Sequence, residues 1–128
     1  MTVITKQQFL DFAIKNIDKL EDLGFFVDDE NERWDEFLGL ATACTTKFAQ
    51  FMTEAGLRIV DDTVFIDHSN TLDIIDDEAV KISEEYDNIP DPMPTWEKYD
   101  LSGDDDVDYN GSHIMIVTDI LRMMIAAQ

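Results

Sequence analysis

Apolar residues in this chain recur at intervals of three and four, and that spacing restricts it to a fold built mainly of helices. The longest series is Trp34, Phe37, Leu38, Ala41, Cys44, Phe48, Phe51, Met52 and Ala55, closed by Gly56. It reads as one helix, because this spacing keeps a single face toward a core and glycine commonly ends a helix. An earlier helix opens at Thr5, with Gln8 three residues on in the form of a capping box. It carries Leu10, Ala13, Ile14, Ile17 and Leu20 up to Gly24.

After Gly56 the pattern shortens. Residues 57–60 and 63–66 are β-prone runs flanking Asp61-Asp62, which predicts a small hairpin packed on the helices. Asn70 caps a third helix whose buried stripe is Leu72, Ile75, Ala79, Ile82 and Tyr86. Ile74 and Val80 fall off that stripe, so a start nearer Asp76 is the alternative. Pro90, Pro92 and Pro94 end this helix and begin a long acidic connection that holds Trp96, Tyr99 and Tyr109. Both aromatics at 96 and 99 read either as interface anchors or as lids on the core. A loop of that length without structure is uncommon, so it is functional or holds a strand the pattern does not show.

Ser112 caps a last helix, His113 to Ala126, which is apolar all round and therefore central or an interface, including one between two copies of the chain. A strand over residues 114–118 is the alternative. The expected fold is α+β and mostly α: about four helices, a small β-hairpin and a long acidic loop. With 128 residues, 45% of them apolar, residues 1–128 form one expected domain.

Charge restricts function. The chain has 29 Asp plus Glu against nine Lys plus Arg, a formal net of −20. Such a surface repels nucleic acid and anionic membranes and attracts basic partners or cations. Residues 59–121 concentrate the excess, with 18 acids and only Lys81 and Lys98. In the third helix Asp73, Asp77 and Glu84 lie opposite the apolar stripe, and Asp76, Glu78, Glu85 and Asp87 flank it. Asp28, Asp29, Glu30 and Glu32 instead precede or open a helix, where the dipole favours negative charge.

Specific chemistry finds little support. Residues 106–111 (Asp-Val-Asp-Tyr-Asn-Gly) match the first half of a calcium loop, but position twelve is Val117 where a bidentate Glu belongs. An Asx-type turn is the plainer reading. His68 and His113 lack ligand partners at metal-binding spacing. Asp67-His68-Ser69 is a poor catalytic set, since neighbours in a strand face opposite ways. Cys44 falls on an apolar stripe and reads as an inert core thiol. No P-loop, dinucleotide fingerprint, nucleophile elbow or zinc-protease motif occurs. No metal, cofactor or enzymatic activity is expected. A lone cysteine, no apolar stretch near 18 residues and no secretory leader fit a cytoplasmic protein.

The expected function is therefore a non-enzymatic inhibitor whose carboxylates imitate nucleic-acid charge and block the groove of a basic nucleic-acid-binding protein, such as a restriction, CRISPR, nuclease or polymerase component. The contact residues expected are Asp73, Asp76, Asp77, Glu84, Glu85, Asp104, Asp105, Asp106 and Asp108. In charge character alone the chain resembles small acidic anti-restriction and anti-CRISPR proteins of phage; it shares no motif with them. One alternative is an immunity protein or antitoxin for a cognate basic toxin. Others are a structural or calcium-binding interaction module and a solvated surface, including one adapted to high salt.

Overall fold

The computed structural model describes residues 1–88, 94–100 and 111–128. Along the chain run β1 (Thr2–Thr5), α1 (Lys6–Lys15), α2 (Ile17–Asp22), α3 (Arg33–Thr42), α4 (Thr46–Ala55), β2 (Leu57–Val60), β3 (Thr63–Ile66), α5 (Thr71–Asn88), α6 (Pro94–Lys98) and α7 (Gly111–Ala126). The fold is α+β and mostly α.

Both long helices expected near the N-terminus are each two helices. The capping box stands as read: Gln8 N–H donates to Thr5 Oγ1 at 3.2 Å, and Thr5 N–H donates to Gln8 Oε1 at 2.8 Å. The helix it opens stops at Asn16, whose Nδ2 donates to Phe12 O at 2.9 Å and so competes with the backbone ladder. The second break lies at residues 43–45. Thr42 Oγ1 folds back onto Leu38 O at 2.8 Å, and Thr45 Oγ1 then accepts from Phe48 N–H at 3.2 Å to cap α4. The apolar spacing passes straight across this break, so it could not reveal it.

The hairpin forms with the expected strands and gains a partner. β1 pairs antiparallel with β3, Ile4 opposite Val64, and gives the sheet order β1-β3-β2. Asp61 and Asp62 both take positive φ, 48° and 60°, as a type I′ turn requires. This turn is also a tie point. Asp62 O accepts from Lys6 N–H at 2.9 Å, and its carboxylate accepts the Trp34 indole N–H at 3.0 Å.

The core begins with an aromatic group. Phe9 lies 4.7 Å from Phe37, 5.5 Å from Trp34 and 6.2 Å from Phe25, measured between ring centroids. α7 runs through the middle as a helix, not a strand, with Ile114, Val117, Ile120, Leu121 and Met124 buried. It packs on α5 and α3. Leu72, Ile75, Ala79 and Ile82 are the buried stripe of α5, and Ile74, off that stripe, is exposed. Tyr86, expected on the stripe, has a side chain outside the described residues. The long connection was expected to be a functional loop or to hold a strand; its described part contains a helix, α6, instead. Among the described residues no helix is long and apolar enough to cross a membrane.

Candidate functional site

The expected contact acids divide into three groups. Asp77 and Glu84 are exposed on α5 and take part in no ion pair among the described residues. Asp87, one turn beyond Glu84, is exposed in the same way. Among the described residues no base occupies these three carboxylates.

The second group is engaged inside the fold. Asp73 was expected to face a partner from opposite the apolar stripe, but Arg122 Nη2 of α7 reaches its carboxylate at 2.7 Å. Asp76 Oδ1 lies 3.2 Å from the buried Thr118 hydroxyl, whose one proton it shares with Met115 O at 2.9 Å, and its other oxygen lies 3.5 Å from Arg122 Nη1. Asp119 completes a ring of three carboxylates round one guanidinium, at 3.2 Å. Burial alone would lower the Arg122 pKa; the Asp73 hydrogen bond and the charges of Asp76, Asp73 and Asp119 outweigh it and raise the value. Glu85 is half-buried, and its Oε1 accepts from Thr95 N–H of α6 at 3.4 Å. Asp73 remains largely exposed, so it can still face a partner, whereas Asp76 and Glu85 serve helix packing first.

The third group, Asp104, Asp105, Asp106 and Asp108, lies outside the described residues, as does Tyr109. The start of the calcium-like run lies there too, and its twelfth position, Val117, is buried in α7. Among the described residues no cluster of three or more His, Cys, Asp or Glu could hold a metal ion.

Glu78 is the acid with the densest contacts. Tyr99 donates its hydroxyl to Oε2 at 2.6 Å, Lys98 stands 3.4 Å from the same oxygen, and Lys81 lies 3.2 Å from Oε1. Burial pushes this carboxyl up, but the Tyr99 and Lys81 hydrogen bonds and the two lysine charges hold it below its ordinary value. Tyr99 is therefore a lid and not an exposed anchor: it is 2% exposed, with its ring 5.0 Å from Phe48 and 5.6 Å from Phe51. Trp96 belongs to α6, and its side chain lies outside the described residues.

A test follows from the sign of that shift. Tyr99→Phe should cost about 1.5 kcal/mol at neutral pH, the scale of a hydrogen bond to a charged group. A depressed carboxylate pKa contributes stability that is complete above the unfolded value, about 4.3, and is lost as pH falls through the folded one. Urea melts of parent and variant should differ most at neutral pH and converge in acid. A pH-independent gap would show that ring packing, not the carboxylate, carries the effect.

One acidic surface was not expected as a contact region. Asp28, Asp29, Glu30, Glu32, Asp35 and Glu36 are all exposed and form no ion pair among the described residues. α3 starts at Arg33, so Asp35 and Glu36 occupy its first turn, and Asp28, Asp29 and Glu30 precede the helix. Only Asp29 has a clear local task, accepting from Asn31 N–H at 2.9 Å. The run was visible in the sequence, but placing a helix start within it assigned its charges to the dipole.

The remaining candidates are structural. Asp67 is engaged by Arg58 at 2.9 Å, and that hydrogen bond is the main cause of its lowered pKa. Cys44 lies in the α3–α4 connection, half-buried and packed against the core, and burial pushes its thiol pKa up. Comparisons with protein-family models, with curated proteins and with solved structures each gave no match to this chain.

Proposed function

We propose that this chain is a non-enzymatic acidic inhibitor that occupies the nucleic-acid groove of a basic protein, acting in the cytoplasm of the cell that contains its target. The observation that carries the reading is the line of exposed carboxylates on α5, Asp73, Asp77, Glu84 and Asp87, three of them without a base among the described residues. At about 1.5 Å of rise per residue this line extends roughly 21 Å, or about 7 Å per charge. One strand of duplex carries a phosphate about every 3.4 Å, so the line alone has about half that density. Asp104, Asp105, Asp106 and Asp108 supply the remainder in this reading.

The mechanism is competitive. Carboxylates meet lysines and arginines that otherwise hold phosphates, which gives fast association that salt slows. The test uses the partner captured from a host lysate and a fluorescent duplex. The chain should displace the duplex, and a complex that forms equally well under saturating duplex overturns the reading. Asp77→Asn, Glu84→Gln and Asp87→Asn together should leave thermal stability unchanged or slightly raised, because they relieve repulsion. The same variant should lower the association rate at least tenfold at low salt. Unchanged association would leave the charge as a solvated face.

A further inference from the structure

β2 is an outer strand, with β3 on one side and no strand on the other among the described residues. The direction of its backbone groups follows from the ladder. Asp67 N–H donates to Gly56 O at 2.8 Å, and Arg58 stands opposite Phe65 and Val60 opposite Thr63. Hydrogen-bonded pairs alternate with non-bonded ones in an antiparallel ladder, so Arg58 and Val60 turn N–H and C=O toward β3. Leu57 and Ile59 turn theirs away. Among the described residues neither has a backbone hydrogen bond on that outer side.

Beside this edge runs a groove of about 510 Å³, lined by all four residues of β2, by Ala49 and Met52 of α4 and by Cys44. Successive strand residues face opposite ways, so four in a row can line one cavity only along an edge. No carboxylate lines it among the described residues. From Phe37 to Val60 the chain has a single acid, Glu54, against Lys47 and Arg58, within a protein of net −20. Depletion of charge marks the centre of interfaces. Unused main-chain donors and acceptors call for another extended backbone, because an apolar ligand would leave them unpaired.

We propose that this groove takes an uncharged, extended segment of a partner protein, which adds to the sheet as a strand beside β2 and seats an apolar side chain between β2 and α4. A second copy of the chain fits poorly. Two β2 edges pairing through Leu57 and Ile59 about a two-fold axis would set Arg58 opposite Arg58, where like charges destabilise. The groove uses none of the α5 carboxylates, so it stands or falls apart from the inhibitor reading.

Ile59→Pro tests it, because proline removes only the outward N–H and is tolerated on that side of an edge strand. The probe is a phage-displayed library of uncharged heptapeptides selected on the full chain. Selected peptides should alternate apolar and polar residues, slow amide exchange at Leu57 and Ile59, and protect Cys44 from iodoacetamide. Affinity should fall at least tenfold with Ile59→Pro, and equally with Ala49→Trp, which fills the groove without touching the edge backbone. Ala49→Trp decides the matter if the proline variant does not fold. Failure to select any peptide, or equal binding by the filled variant, overturns the proposal. A parent dimer in sedimentation that Ile59→Pro converts to monomer overturns it in favour of a second copy.

Discussion

Gly56→Ala should lower stability by about 3 kcal/mol, a fall of roughly 10 °C in melting temperature for a chain of this size. Two costs combine. Gly56 ends α4 with φ of 108°, a left-handed conformation that costs an L-residue about 1–2 kcal/mol. An added Cβ would also stand 2.6 Å from Thr71 Oγ1 and 3.1 Å from Asp67 Cβ. Thr71 has no room to yield: it is fully buried, donates to Ala55 O at 2.8 Å and accepts from His68 N–H at 3.2 Å. The junction of α4, β2 and α5 therefore depends on a missing side chain.

Two other glycines separate the costs. Gly24 has φ of 100°, but its Cβ would meet only the flexible end of Ile116 at 3.4 Å, so Gly24→Ala should cost about 1–2 kcal/mol from the backbone alone. Gly39 is exposed within α3 with nothing within 4 Å, so Gly39→Ala should stabilise by about 0.5–1 kcal/mol. Thermal melts of the three variants check this order. Equal losses at Gly56 and Gly24 would remove the steric contribution.

Arg122→Met should cost about 2 kcal/mol, chiefly by leaving the half-buried Asp76 with an uncompensated charge. Asp73 and Asp119 are more exposed, and pairs of that kind contribute at most about 1 kcal/mol each. Their role is to repel Asp76 once the guanidinium is gone. Screening weakens that repulsion, so the loss should shrink in about 1 M salt, where the Debye length is about 3 Å. Arg122→Lys should recover only part of it, since an ammonium cannot span three carboxylates as a planar guanidinium does. Urea melts at two salt concentrations decide the point; a salt-independent loss would mean that repulsion among the carboxylates is not its cause.

Features that rest on local physics can be read from the order of residues alone. The capping box at Thr5, the helix end at Gly56, the strands at 57–60 and 63–66 and the buried stripe of α5 each follow from contacts within about four residues, or from alternation along a strand. Total charge and its concentration after residue 59 were equally legible. Contacts between distant segments set the rest. β1 is a strand because β3, some 60 residues away, offers it a ladder. The apolar series from Trp34 to Ala55 divides at residues 43–45, where Thr42 and Thr45 hydroxyls replace backbone partners without disturbing the spacing. Which carboxylates remain free was decided in the same way. Asp73 and Asp76 meet Arg122, and Glu78 meets Tyr99 and Lys98, across separations that no local pattern records, while Asp77, Glu84 and Asp87 meet no base among the described residues. Periodicity tells a residue which face it occupies; only packing brings a base to that face.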